Sequence, residues 1–201
     1  MADDSKSRRD EHSEATRTAL LSAARELFGT HGYNDTSIEM VASAAHVTTG
    51  AIYHHFHNKK DLFKATAEAL QEELLKDALA ARAGDRWASL RSGYDLLLER
   101  FCEAVVHRIL FVEGPQVLGP GPWREIELRY VYGTSRDLFQ ALINKNVVRN
   151  FPAMLMARLL AGLLREASSE IAESGGDPAV RAQVTELVDR VFLAIRADHA
   201  P

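Results

Sequence analysis

The residue types and spacings that could do chemistry with another molecule are concentrated in one stretch, TSIEMVASAAHVTTGAIYHHFHNKKDLF, residues 36–63. Thr48 and Thr49 are short donors and acceptors at a helix start, and Gly50 and Ala51 are small enough to let backbone approach a base edge or a thymine methyl. Tyr53, His55 and Lys59 can reach phosphates from a groove edge, and helix starts add free amides. Ile52 and Phe56, four apart, form an inward face, so Tyr53 points elsewhere. Two short helices joined by a tight turn give the helix-turn-helix geometry: the first braces, and the second offers its N-terminal residues to a major groove. The chemistry is therefore recognition. No nucleophile–base motif, metal-ligand spacing or phosphate-cradling glycine loop is present, so neither an enzyme nor a cofactor is expected.

The elements around this stretch read as an all-α chain of about nine helices. Composition agrees with a globular protein: 201 residues, 46% hydrophobic and 26% charged. The net charge of −4 argues weakly against nucleic acid, so the local pattern must decide. No apolar run approaches the roughly 20 residues a bilayer needs, so no membrane span is expected. The start, MADDSKSRRDEH, has no apolar h-region and implies no secretory signal. Cys102 is the only cysteine, which excludes an intrachain disulfide and a cysteine zinc cage, and a cytoplasmic location fits. His54, His55 and His57 invite a metal, but adjacent histidines on a helix diverge by about 100°, and no metal site is expected.

Residues 1–12 lack periodicity and read as a flexible arm. From Ser13, Leu20, Ala24 and Phe28 recur every four residues, and Gly32 suits a left-handed stop. Thr36 with Glu39 reads as a capping box for the second helix, which breaks at His46-Val47. Thr48 caps the third helix, and Asn58, with Asp61, caps a fourth that carries Leu62, Phe63, Leu70, Leu74 and Leu79 to about Ala81. A continuous helix from Arg86 is expected to carry Trp87, Leu90, Tyr94, Leu97, Phe101, Val105 and Ile109. The run EGPQVLGPGP, residues 113–122, is expected to forbid regular helix. Helices from Trp123 to about Lys145, from Asn150-Pro152 to Gly175-Gly176, and from Asp177-Pro178 onward complete the chain.

LF-x3-GY-x2-TSI-x2-VA-x2-A-x-V-x-T-GAIYHHF-x2-K-x2-LF resembles the DNA-binding signature of the TetR (tetracycline-repressor) family of bacterial regulators, over about residues 15–64. The resemblance implies a head at 13–57, a linking helix at 58–81 and a ligand-binding and dimerisation body at 82–201. It implies a homodimeric, ligand-responsive regulator, a repressor released from a palindromic double-stranded DNA operator by a small-molecule effector. Carried over by position, Thr48, Thr49, Gly50, Ala51 and His54 face the groove, while Ser37, Tyr53, His55 and Lys59 meet phosphates. His46 stands where the family often has glycine, and histidine tolerates a left-handed turn better than branched residues do. Glu39 stands where some members carry a long cation; it closes the capping box or accepts from a cytosine amino group.

In the body, Trp87, Tyr94, Phe101 and Arg108 fall at heptad spacing, and Trp123, Glu127, Tyr130 and Thr134 share another face. Aromatics with a few polar groups can line a small-molecule pocket, or simply fill a helical core. Arg108 needs a partner, either a ligand anion or an internal glutamate. Leu159, Leu163, Leu187, Val191 and Ile195 can be intramolecular core or a shared dimer bundle; their broad stripes, small neighbouring residues and the family resemblance favour the bundle. Competing readings are a helical small-molecule-binding protein, which leaves the Thr48–Lys59 constellation unexplained, and an activator of the same fold.

Overall fold

A computed structural model describes residues 2–81 and 84–197, with side chains from Glu11 onward. Among the described residues the chain forms nine continuous helical segments and no strand beyond one bridge between Val148 and Arg196. They are α1 (Ala2–His31), α2 (Ile38–Ala44), α3 (Thr49–His55), α4 (Lys59–Ala80), α5 (Arg86–Phe101), α6 (104–118), α7 (120–144), α8 (Ala153–Glu173) and α9 (Pro178–Ile195). The non-periodic stretch read as an arm is helical backbone from Ala2; without an apolar stripe it gives no periodic signal, yet nothing in it breaks a helix.

The head follows local rules closely. Leu20, Ala24 and Phe28 are fully buried, and α1 stops at Gly32, whose φ is +88°. The cap of α2 is Ser37 and not Thr36: the Ser37 hydroxyl accepts from the Met40 amide at 3.2 Å. Thr36 is buried, and its hydroxyl bonds instead to the Leu27 and Gly32 carbonyls, at 3.1 and 2.7 Å, tying α2 to the end of α1. His46 carries the left-handed turn at φ 56°. Thr48 and Asn58 cap α3 and α4 through the Ala51 and Asp61 amides, at 3.2 and 2.9 Å.

Two expectations fail in the body. The helix from Arg86 is not continuous: it ends at Phe101, and Glu103 is extended before α6 begins. The 113–122 run does not forbid helix, because Pro115 and Pro120 occupy first-turn positions, where a missing N–H costs nothing; only Gly119, φ +84°, interrupts. Leu79 lies within α4, as expected, and its side chain is 47% exposed.

Wide i→i+5 turns occur twice, at Arg108–Glu113 within α6 and at Leu128–Tyr132 within α7. Each is followed by a glycine, and the amide of that glycine donates to the carbonyl five residues back: Gly114 to Ile109, Gly133 to Leu128. A Cβ at either glycine would sit 2.9 or 2.8 Å from that carbonyl.

Two hydrophobic clusters organise the packing. One joins the head to residues 106–126, with Phe28, Val41, Ile52, Phe63, Ile109 and Trp123 in one continuous core. The other unites α5, the end of α7, α8 and α9 around Tyr94, Phe139, Leu160 and Phe192. α6 seats on α1 so closely that a Cβ at Gly29 would fall inside the Val105 side chain. Gly29→Ala is therefore expected to cost about 1–3 kcal/mol in urea unfolding. Adding Val105→Ala should return part of that loss. A Gly29→Ala protein as stable as the parent would mean α6 does not pack on α1 at this distance.

Candidate nucleic-acid interface and ligand cavity

The first candidate site is the outer side of α3. Ile52 and Phe56 are buried beneath it, while Gly50, Tyr53 and His54 are exposed, Tyr53 at 56%. Thr49, Ala51 and His55 are half-buried, and Thr48, at the N-cap, is exposed. A Cβ at Gly50 would meet only Thr48 Oγ1, at 3.7 Å, so nothing within the chain requires glycine there. Ser37 stands at the start of α2, half-buried and engaged as its cap. The neighbouring Glu39 carboxyl is held below its ordinary range by its own backbone amide and then by the Ser37 hydroxyl. Burial, followed by the nearby His54 and Arg17, lowers the His55 pKa. His54 and His55 rings lie edge to face at 5.2 Å. Among the described residues, no three His, Cys, Asp or Glu side chains converge where an ion could sit.

Lys59 is placed differently from its phosphate-facing expectation. Its ammonium donates to the carbonyls of Tyr33 at 2.8 Å, Thr36 at 2.9 Å and Asn34 at 3.4 Å, and it lies 4.4 Å from the Tyr33 ring centroid. An ammonium has three donors, and all three are directed at the chain's own α1–α2 loop. The α-helical register at the start of α4 points Lys59 back over that loop.

The second site is a cavity of about 90 Å³ lined by residues of α4, α5, α6, α7 and α8. Phe101, Trp123, Glu127 and Tyr130 line it. Trp87, Tyr94, Arg108 and Thr134 do not. Tyr94 is buried in the other cluster, edge-on to Phe192 at 4.8 Å, with its hydroxyl pKa raised by burial. Trp87 packs beneath Arg196, 5.3 Å from its ring. The break at Cys102–Glu103 resets the helical phase, so Arg108 leaves the face that heptad spacing assigned to it. The wide turn at Leu128–Tyr132 advances the phase by one residue, and Ser135 lines the cavity where Thr134 was expected.

Sequence reading did not select Gln71, Phe111, Tyr132 or Arg165, which also line the cavity. A polar Gln71 inside the apolar stripe of Ala67, Leu70 and Leu74 was the one available signal. Gln71 is 6% exposed, and its Oε1 is buried with no hydrogen-bond partner. Burial pushes the Glu127 carboxyl up, against the donors Tyr132 and Trp123 and the charges of Arg165 and Arg124.

Head and body meet beside this cavity. Arg108 donates to the Thr30 carbonyl at 2.7 Å, a partner neither ligand nor glutamate, and the Tyr33 amide donates to Glu113 at 2.7 Å. These residues open and close the wide turn of α6, whose Leu110 and Phe111 face the cavity. On the far side of the body, Leu159 and Leu187 are 63% and 59% exposed, with Leu155 and Phe151 exposed nearby. Leu163, Val191 and Ile195 are half-buried against their own core and contribute less free surface.

Comparison with known proteins places both halves. Residues 20–66 match the family model for bacterial regulatory proteins of the tetR family, and residues 87–195 match that for the tetracyclin repressor-like C-terminal domain. The Tn10 TetC protein of Escherichia coli is 29% identical over 162 residues, 79% of this chain and 81% of that protein. The crystal structure of a TetR-family transcriptional regulator from Pectobacterium atrosepticum is similar at 31% identity, TM-score 0.76, covering 94% of this chain and 97% of that one. NalD of Pseudomonas aeruginosa, described as the secondary repressor of the MexAB-OprM multidrug efflux pump, is similar at 27% identity, TM-score 0.58, covering 92% of this chain and 99% of that one.

The Lys59 geometry gives a direct expectation. Lys59→Met should cost about 1–3 kcal/mol of stability in urea unfolding through orphaned carbonyls, while the slope of log affinity for DNA against log salt stays unchanged. Unchanged stability with a slope reduced by about 1 would instead place the ammonium on a phosphate.

Proposed function

This chain belongs to the TetR family of bacterial regulatory proteins, and on that premise we propose that it is a homodimeric repressor released from a palindromic operator by a small-molecule effector. Ligand-responsive, helix-turn-helix DNA binding is the family's shared function. The relatives are regulators and not enzymes. No described helix is long and apolar enough to cross a membrane.

One observation carries the coupling. The six residues Arg108–Glu113 line the cavity through Leu110 and Phe111 and grip the end of α1 through Arg108 and Glu113. A ligand that reshapes this turn acts on the head without crossing any intervening element. The cavity, at about 90 Å³, is well below the roughly 300–1,000 Å³ of common ligand sites. An effector larger than one ring must therefore favour a more open conformation, and that differential affinity is the only way it can shift the equilibrium. The open state moves α6, and with it α1, so the paired recognition helices lose the half-site spacing of about 34–36 Å.

On the DNA side, α3 supplies direct contacts through Thr48, Thr49, Gly50, Ala51 and His54. Tyr53, His55 and the Ser37 end of α2 meet phosphates. The free space at Gly50 supports close approach of a partner's atoms there. The exposed Leu155, Leu159 and Leu187 on α8 and α9 supply apolar surface that a second copy would cover in a two-fold interface.

The test is fluorescence anisotropy of the purified protein with DNA from upstream of its own gene, against scrambled competitor, at two salt concentrations. Tight, selective binding that weakens steeply with salt is expected; binding equal for both DNAs would sink the repressor reading. Gly50→Ala should keep or slightly raise thermal stability, by up to about 1 kcal/mol, yet weaken operator binding about tenfold. Separately, Leu159→Glu with Leu187→Glu should sediment as a monomer while keeping its helical circular-dichroism signal. A dimeric double variant would move the interface elsewhere.

A further inference from the structure

The cavity's unused hydrogen-bonding capacity identifies the kind of molecule it takes. Gln71 Oε1 is an acceptor, buried, and without a partner. It belongs to a residue of α4 that lines the cavity and is 6% exposed. A buried acceptor left unpaired is destabilising, and an occupant that donates to it removes that cost. Glu127, on the α7 wall, is the second acceptor. A carboxylate has about four lone-pair sites, and Tyr132 and Trp123 supply only two donors.

The remaining wall is apolar or aromatic: Phe101, Phe111, Trp123 and Tyr130, with leucines between them. Arg165 is the one cationic side chain in the lining, and its Nε already donates to Glu166 at 3.1 Å, with the side chain 46% exposed. Ser135 acts as the hydrogen-bond partner of Tyr94. Two acceptors with unused capacity therefore belong to the cavity lining, and the charge of its one cation, Arg165, is shared between Glu166 and the Glu127–Tyr132 pair.

The geometry points to a ligand with a single-ring aromatic body and a hydrogen-bond-donating head, a phenol or an amine, that donates to Gln71 Oε1 or Glu127, in preference to a carboxylate head. This rests on the effector reading above for its role, though not for its chemistry. A carboxylate head would leave the Gln71 acceptor unpaired. An ether of the same shape would fill the aromatic volume and satisfy neither acceptor.

The experiment is isothermal titration calorimetry on the full-length protein with four probes of similar size. 4-Ethylphenol is the neutral donor, benzylamine the cationic donor, 4-ethylanisole the ring without a donor, and 4-ethylbenzoate the anion. The donor probes should bind about tenfold tighter than the anisole or the benzoate. In Gln71→Leu the phenol-to-anisole ratio should fall towards one while the anisole affinity is kept. In Glu127→Gln benzylamine should lose more affinity than the phenol. Equal affinities for phenol and anisole in the parent protein would overturn the proposal, as would tightest binding of the benzoate or no binding by any probe. The parent comparison decides the question even if a variant fails to fold.

Adding each probe to the operator anisotropy assay separates the two readings. Donor-selective binding that leaves DNA bound supports the ligand class and removes the effector role. Release of DNA by the benzoate in preference to the phenol overturns the ligand class and keeps the effector role.

Discussion

Everything that makes this chain a single responsive molecule depends on how residues 30–36 are held. This short peptide is the end of α1, the entry to α2 and the seat of Lys59 from α4. The carbonyl of Thr30 receives Arg108, the amide of Tyr33 reaches Glu113, and the carbonyls of Tyr33, Asn34 and Thr36 receive Lys59. Backbone groups at a helix end need partners from somewhere. Here the body and the linking helix supply them, and the orientation of the head is set by side chains outside it. Gly29 and Gly32 make this possible. The first leaves room for Val105, and the second takes a positive φ where a Cβ would lie 2.6 Å from Glu113 Oε1.

The cavity depends on a repeated backbone device. Each wide turn, at 108–113 and at 128–132, gives up ordinary i→i+4 bonding, and each closes on a glycine that tolerates the carbonyl five residues earlier. Both turns place aromatic residues against the same space: Phe111 from one, Tyr130 and Tyr132 from the other. The turn at 108–113 borders the cavity on one side and holds the head on the other.

Charge contributes less to stability than to orientation. Arg25 and Arg100 both reach Glu73, at 2.8 and 2.6 Å, and Arg100 also reaches Glu103 at 2.8 Å, linking α1, α4 and the start of α6. Glu73 and Glu103 remain 43% and 42% exposed, so solvent screens these pairs and each adds little. Their value is geometric: Glu73 ties α1 and α5 to the same stretch of α4, and Arg100 extends the chain of pairs to the start of α6.

The sequence alone determined what local physics decides. The Gly32 stop, the His46 turn, and the Thr48, Asn58 and Asp177 caps need only neighbouring residues, and each is read within a few positions. The inward faces of α1 and α3 follow from periodicity for the same reason. Other outcomes belonged to the tertiary structure. Thr36 and Ser37 are equally good caps by type, and Thr36 is spent on the α1 carbonyls only because α1 is packed beside it. Lys59 reads as a free cation until the folded loop brings three carbonyls to it. Of the expected positions that line the cavity, Phe101, Trp123 and Glu127 precede the points where helical phase is lost and Tyr130 lies within the second; Arg108 and Thr134 follow those points, while Trp87 and Tyr94, before the first break, pack into the other cluster. A break at Cys102–Glu103 and a wide turn at 128–132 carry no proline, and only close packing of neighbouring helices selects them. Periodicity is a one-dimensional ruler, valid within an unbroken helix, and the helices of this body are broken by contacts that the ruler does not record.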